Sequence, residues 1–441
     1  MRINVKHGLD LRISGQPRQS IEAGPTVRHV ALLGDDYIGL RASLLVAVGD
    51  RVRAGQALFV DRRYPDIRYV SPAAGTVTAI NRGAKRRLAS VVVMRDGDET
   101  AQSRKYSAGG LSRLSADEIA AVLLRSGHWT ALRSRPFDCV PAPHERPEWL
   151  FVTAIDTDPL APDPAAVVRE YSDEFDAGLR ALSPLARRRT FLCTGVDVDM
   201  PVPAAMPGLQ IAQFAGPHPA GLPGTHMHHL VRVSTGVAAW HINYQDVISI
   251  GRQFLRGSPW TQRVVAIAGP GVRDPRLVKA PIGASAKELL AGESLAGQRI
   301  LSGPVLSGRS FDSGGEFLGR YHRQVALFDQ QGSSARQPRA PLALAQRKRF
   351  ARVASRIAAA FGGRACGLMP IEAFEDIWPM RIAVVPLLRA LLANDAENAE
   401  LLGCLALAEE DMALCSRVCP SNLDYSSALR ATLAIMAREN Q

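Results

Sequence analysis

Apolar and polar residues alternate with period two through residues 46–80, the signature of short half-buried strands. Ser90-Val91-Val92-Val93-Met94 continues this pattern and stops at Asp96-Gly97. Helical spacing then takes over. Ile119, Val122 and Leu123 fall on one face, with Ser115 and Glu118 placed as a capping box. From about residue 149 strands and helices alternate. Trp149 to Val152, Thr190 to Cys193 and Leu209 to Ala212 read as strands, and Pro164 to Leu182 reads as one amphipathic helix. A loop rich in Gly, Pro and His runs from Ala215 to His229, and a helix is expected from Asp246 to Phe254. Arg263 to Ile267 and Gly303 to Gly308 predict strands of a small β-rich unit, with Ala286 to Leu290 as a short helix. Beyond the polar stretch Gln330 to Ser334, helices are expected over Glu397 to Cys415 and Ser426 to Arg438.

Residues 46–80 hold two half-repeats. Val48-Gly49-Asp50, Val52 and Gly55-Gln56 make the first; Ser71-Pro72 and Gly75-Thr76-Val77 make the second. Glycines sit where tight turns need positive φ. This pattern resembles the barrel-sandwich hybrid, the flattened barrel of biotinyl and lipoyl carriers. Such carriers present a lysine at the hairpin tip between the half-repeats. Here the tip is Arg62-Arg63-Tyr64-Pro65-Asp66, and no lysine lies between Gly55 and Gly75. A swinging-arm carrier is therefore not expected.

At 441 residues the chain should divide into three or four units. No apolar run reaches the roughly 18–20 residues a spanning helix needs; Ile382 to Leu392 is interrupted by Pro386 and Arg389. The opening MRINVKHGLDL lacks the apolar stretch of a signal peptide. A cytoplasmic chain follows, with its six cysteines as thiols. The net charge of +11 gathers at Arg187-Arg188-Arg189 and in the segment from Arg336 to Arg356. Without zinc-finger, recognition-helix or ribonucleoprotein patterns, an anionic membrane face or an acidic partner protein fits this charge better than nucleic acid.

Phosphate loops and a nucleophile elbow are missing from the sequence. Asp156 and Asp158 follow the Trp149–Val152 strand, where an open α/β sheet places its ligand crevice. Helix capping is the plainer role for them. His218, His226, His228 and His229 crowd the Gly/Pro loop. His226 and His228, two apart on a strand, would face one side as metal ligands do, although no nearby carboxylate or cysteine completes a tetrahedral set. Asp156, Asp158, His218 and His226 are the ligand-crevice candidates; no catalytic, cofactor-binding or metal residue is expected. Cys415, Cys419 and Pro420 match the end of the ferredoxin pattern, but Glu409 and Met412 stand where two further thiolates belong.

Taken in order, several segments resemble the NqrA family, the peripheral A-type subunits of the Na⁺-translocating NADH:quinone oxidoreductases. They are Lys6 to Leu11, Val30 to Gly34, Trp129 to Phe137, Gly216 to His228, Trp240 to Val247, Leu318 to His322, Cys415 to Pro420, and Asp424-Tyr425. That family is similar to the C-type subunit of the Rnf complex and to the flavin subunit of complex I, whose Gly-rich loop corresponds to Ser126 to Phe137. Only Gly127 is glycine there, and Trp129 and Leu132 would obstruct a phosphate. The resemblance implies a multidomain α+β chain. Its expected parts are a barrel-sandwich hybrid β domain over 1–105, an α/β Rossmann-like layer over 106–258, a small β-grasp-like, soluble-ligand-binding domain over 259–330, and a helical domain resembling a degenerate ferredoxin over 331–441. It further implies a cofactor-free peripheral subunit on the cytoplasmic side of the inner membrane. Partners would be the membrane and flavin-bearing subunits, with room for a ubiquinone or lipid contact. NADH, flavins and quinone would be used by the whole complex, an oxidoreductase and Na⁺ translocase. The alternatives are a flavin- and NADH-binding electron-input subunit, and a biotin- or lipoate-type carrier.

Overall fold

The computed structural model describes all residues except 202–205, 232, 235–236, 312–315, 330–370, 420, 422 and 440–441. The linker at 330–334, the basic segment 336–356, Cys366 and Pro420 lie outside the described residues.

Period-two alternation produces the expected flattened barrel. A four-stranded antiparallel sheet (His29–Leu33, Leu88–Arg95, Gly75–Arg82, Arg51–Val52) faces a three-stranded one (Ala42–Leu44, Ala57–Asp61, Arg68–Val70). Leu58, Phe59, Val77, Val91 and Val93 fill the space between them. The hairpin tip is fastened down. The half-exposed Arg63 guanidinium donates to the buried Asp61 carboxylate at 3.0 Å and to the Gly39 carbonyl at 2.8 Å, and Tyr64 packs edge-on to His144. The first two strands of the chain pair elsewhere. Arg2–Asn4 joins the α/β sheet and Arg18–Ala23 joins the third sheet, so the N-terminal segment stitches all three together.

The α/β layer is a six-stranded sheet in the order Arg2–Asn4, Leu209–Ala215, Arg189–Gly195, Trp149–Ala154, Ala239–Asn243, Arg133–Arg135. The first five are parallel, and Arg133–Arg135 runs antiparallel at the edge. The parallel strands are nearly continuous apolar runs because helices cover the sheet. The 164–182 region is two helices, Pro164–Glu170 and Ser172–Leu182, where a single one was expected. Tyr171 breaks the turn with φ −129° and ψ 42°. Ser172–Leu182 crosses the helix Tyr244–Arg256 in close contact. A Cβ on Gly251 would stand 1.7 Å from the Glu174 carbonyl oxygen, and one on Gly178 2.1 Å from that of Val247. Ser115 and Glu118 do form the capping box of helix Ala116–Ser126.

The third unit is a mixed six-stranded sheet: Arg309–Ser310, Gln298–Ser302, Gln324–Asp329, Gln262–Ala268, Arg276–Pro281, Arg18–Ala23. Residues 303–308, expected as a strand, form the turn between two of these strands. One apolar core runs from the barrel through the α/β layer into this unit. A buried ion group crosses the same junction: Asp246 accepts from Arg263 at 2.6 Å and from Arg320 at 3.0 Å.

The helical region from Ile371 onward has a separate core around Phe374, Leu388, Met412, Cys415 and Leu429. The single helix expected over 397–415 is four short pieces, Ala396–Leu401, Cys404–Ala406, Glu409–Met412 and Ala413–Val418. Gly403, at φ +93°, turns the chain after the first. No helix among the described residues is long and apolar enough to cross a membrane.

Candidate functional site

Strand order reverses between Trp149–Ala154 and Ala239–Asn243, so the crevice of this open sheet lies at their carboxyl ends. The loop after the first of these strands carries Asp156 and Asp158. The loop after Leu209–Ala215 carries His218. All three meet there. Asp156 accepts the Asp158 backbone N–H at 3.0 Å through one oxygen and the Arg323 guanidinium at 2.9 Å through the other. His218 Nδ1 lies 3.8 Å from the Asp158 carboxylate and 3.1 Å from Thr157 Oγ1. Thr157 Oγ1 also accepts from the Gly221 N–H at 3.0 Å, so one hydroxyl ties the His218 ring to the backbone of its own loop. Neither aspartate caps the following helix; Asp163 does, accepting from the Ala165 N–H.

His226 does not join them. Residues 223–230 are a helix rather than an extended loop, so His226 and His228 point to different faces and cannot chelate one ion. His226 Nε2 donates to the Ala220 carbonyl at 2.9 Å and its ring packs on Phe214 at 4.2 Å. His228 accepts the Arg381 N–H. Among the described residues no group of three or more His, Cys, Asp or Glu is arranged to hold a metal ion.

The sequence reading missed what closes the crevice. Arg323 comes from the third unit, and Glu410 and Asp411 from the helical region. Arg133, Arg135 and Asp138 come from the edge strand and its turn. Asp138 is fully buried between both arginines, and His241 Nε2 lies 3.0 Å from it. Arg135 also faces Glu410 at 3.6 Å. Glu409 is held by Arg430 through two charge-assisted bonds, and Arg430 donates onward to the Phe137 carbonyl at 2.8 Å. The acidic triplet 409–411 and the Arg133/Arg135 pair, two apart on a strand, were the only sequence signals for this network.

Burial governs protonation here. It pushes the Asp158 carboxyl well above its usual range, reinforced by Asp156 and Glu410. It raises Asp411 likewise, with Glu410 beside it. Burial lowers His218 to about 4 and His226 to about 3. The crevice is thus a packed, mostly paired polar junction where three units of the chain touch.

The segment from Ser126 to Phe137 is also tightly packed. Trp129 and Leu132 are fully buried. Trp129 donates to the Pro141 carbonyl at 2.9 Å and meets Trp240 edge-to-face at 5.4 Å. Met412 is fully buried in the helical core beside Cys415.

These features define a multidomain α+β protein in which an α/β layer is locked between a barrel-sandwich hybrid and a small β-rich unit. Three domain models of one family match it: the NqrA N-terminal barrel-sandwich hybrid domain over 3–96, the NqrA second alpha/beta domain over 114–259, and the NQRA C-terminal domain over 264–313. The chain belongs to the NqrA family of the Na⁺-translocating NADH-quinone reductases. It is 46% identical to the NqrA subunit of the Na(+)-translocating NADH-quinone reductase of Pseudomonas aeruginosa strain UCBPP-PA14, over 99% of this chain and 100% of that one. The corresponding subunits of Shewanella denitrificans and Actinobacillus pleuropneumoniae serotype 5b are 43% and 42% identical at the same coverage. Among solved structures, an NAD⁺-reducing [NiFe]-hydrogenase in the H₂-reduced state aligns at 14% identity and a TM-score of 0.37, covering 76% of this chain and 64% of that one.

Proposed function

We propose that this chain serves the Na⁺-translocating NADH-quinone reductase as a peripheral subunit that holds no redox group of its own. It sits on the cytoplasmic side of the inner membrane, against the membrane and flavin-bearing subunits. NADH, flavins and quinone are handled by the complex, and a quinone or lipid contact at its surface is compatible with this place. One observation carries the reading: the positions where similar folds hold a carrier are occupied by this chain's own side chains. Trp129 and Leu132 fill the flavin-loop segment, and Met412 fills the cluster segment. Arg63 and Tyr64 tie down the barrel tip. The crevice at Asp156, Asp158 and His218 is bridged by Arg323, which makes it a domain junction; His226 is held apart from it by Ala220 and Phe214.

The test is the purified chain itself. Its visible spectrum should show no flavin band, and anaerobic reconstitution should leave it without stoichiometric iron. Tight flavin or NADH binding would instead establish a role in electron input. A mass shift on a lysine within the first hundred or so residues would point to a carrier.

A further inference from the structure

A cleft of about 1350 Å³ opens between the barrel and the α/β layer, away from the junction above. It is large against the roughly 300–1,000 Å³ of ordinary small-molecule sites. Five arginines line it: Arg51, Arg53, Arg68, Arg104 and Arg125. They come from a barrel strand and its turn, a second barrel strand, the connecting segment, and the end of helix Ala116–Ser126. The one carboxylate on the wall, Glu99, is engaged with Arg51, which also holds Asp96. Arg53, Arg68, Arg104 and Arg125 are all exposed and form no ion pair among the described residues. Like charges converging in a concave surface repel one another and focus a positive potential. Arg104 stacks over the Tyr106 ring at 5.1 Å, and no such contact is seen for Arg53, Arg68 or Arg125 among the described residues.

We infer that this cleft receives an extended acidic polypeptide segment from another subunit of the complex. The placement of the charges argues for a chain rather than a phosphate. The arginines come from four separate segments of the cleft wall, two barrel strands, the connecting segment and a helix end. Backbone donors in the lining are already used: the N–H groups of Gly55, Gln56, Ala101, Ser103 and Tyr106 all bond within the chain. A bilayer cannot follow the concavity, and a second copy of a chain with net charge +11 is repelled. Between the arginines lie apolar surfaces, including Leu45, Val60 and Tyr106. Leu45, 55% exposed, gives the cleft an apolar edge. The occupant therefore combines Asp and Glu with apolar anchors. This inference needs only membership of the complex and is independent of whether the chain binds a cofactor.

A photo-crosslinker, benzoylphenylalanine, placed at the exposed Gln102 of the full chain in the intact complex tests it. The expected product joins Gln102 to an Asp- and Glu-rich segment of another subunit. In a second arm, R53E/R68E/R104E/R125E should cut that product at least about tenfold and weaken retention of the chain in the complex at moderate salt. R82E/R86E, on the far hairpin, should change neither. The wild-type arm stands even if the quadruple variant misfolds. The inference is overturned by a product with lipid or with a neutral or basic segment, by no product at all, or by unchanged retention of a folded quadruple variant. Salt-sensitive binding of inorganic pyrophosphate to the free chain, abolished by the same four changes, would overturn it in favour of a phosphate ligand.

Discussion

At the scale of single residues, Asp158 and His218 show how burial decides charge. In water a carboxylate beside an imidazole would form an ion pair. Here both lose hydration, Asp156 and Glu410 add negative charge, and the pair is held with the carboxyl raised and the ring at about 4. The signs oppose. Because the Asp158 carboxyl is raised on folding, the native state holds its proton to higher pH. Stability is then lost as pH climbs from the unfolded value near 4 through the folded one. D158N removes that loss. It should raise the unfolding free energy from urea titration at pH 8 by roughly 1 kcal/mol, the ordinary scale of a single-residue effect. The gain should vanish near pH 4, and a constant gain at every pH would refute the assignment. The histidines act on the other limb. His128 and His218 are lowered to about 4, and His226 and His322 to about 3, in each case chiefly by burial. Unfolded histidine protonates near 6.5, so stability should fall as pH drops from about 6.5 to 4, by on the order of 3 kcal/mol for each ring that resists protonation. Unfolding curves measured from pH 7 to 4.5 at fixed ionic strength check this; a flat acid limb would contradict it.

Among the elements, local signals were legible and contacts between elements were not. The capping box at Ser115 and the strand at Trp149 could be read because each is written in consecutive residues. Tyr171 breaks a helical pattern whose apolar spacing continues across it, so periodicity alone joined the two halves. The His-rich loop became a helix because Pro223 starts one and His226 and Met227 pack against the sheet, an effect absent from local propensity. In the crevice, Asp156 and Asp158 were found because a strand end announces a ligand position, and His218 because it stands in a loop crowded with histidines. Arg323 and Glu410 were not, since they arrive from units far along the chain. The same limit hides the tightest helix crossing. Gly178 and Gly251 look like poor helix residues in isolation, at a cost of about 1 kcal/mol each. In the fold they let two helices touch backbone to backbone. G251A should therefore destabilise by about 1–3 kcal/mol despite its better helix propensity, because the new methyl meets a carbonyl oxygen that cannot swing aside. Thermal melting of G251A decides between the two effects, and a raised midpoint would show that the helices can separate freely.

Across the whole molecule, the apolar core of the described residues falls into four clusters, and this sets how the chain comes apart. Two smaller ones share the strands of the third sheet and of the α/β sheet with the largest, which is continuous from the barrel through the α/β layer to the third unit. It is reinforced by the N-terminal strands shared among sheets and by Asp246 between Arg263 and Arg320. The helical region encloses its own core and touches the rest mainly through polar contacts: Leu9, Phe137 and Leu306 pack at its edge, and Arg430 to the Phe137 carbonyl, Arg381 to His228, Arg135 to Glu410 and Gly8 to the Asp376 carbonyl join it to the other units. Cooperativity follows continuity of burial, so a unit with its own core and a thin contact can open on its own. Hydrogen exchange should accordingly protect Trp149–Ala154 and Gln262–Ala268 to the same free energy, and Val384–Ala393 to a lower one. R430A leaves Glu409 without its partner and cuts the bond to Phe137, at a cost of about 1–3 kcal/mol. That loss should lower protection in 384–393 and leave the two sheets unchanged. Equal protection in all three segments, or an equal fall in all three after R430A, would mean that the helical unit and the sheets unfold as one body.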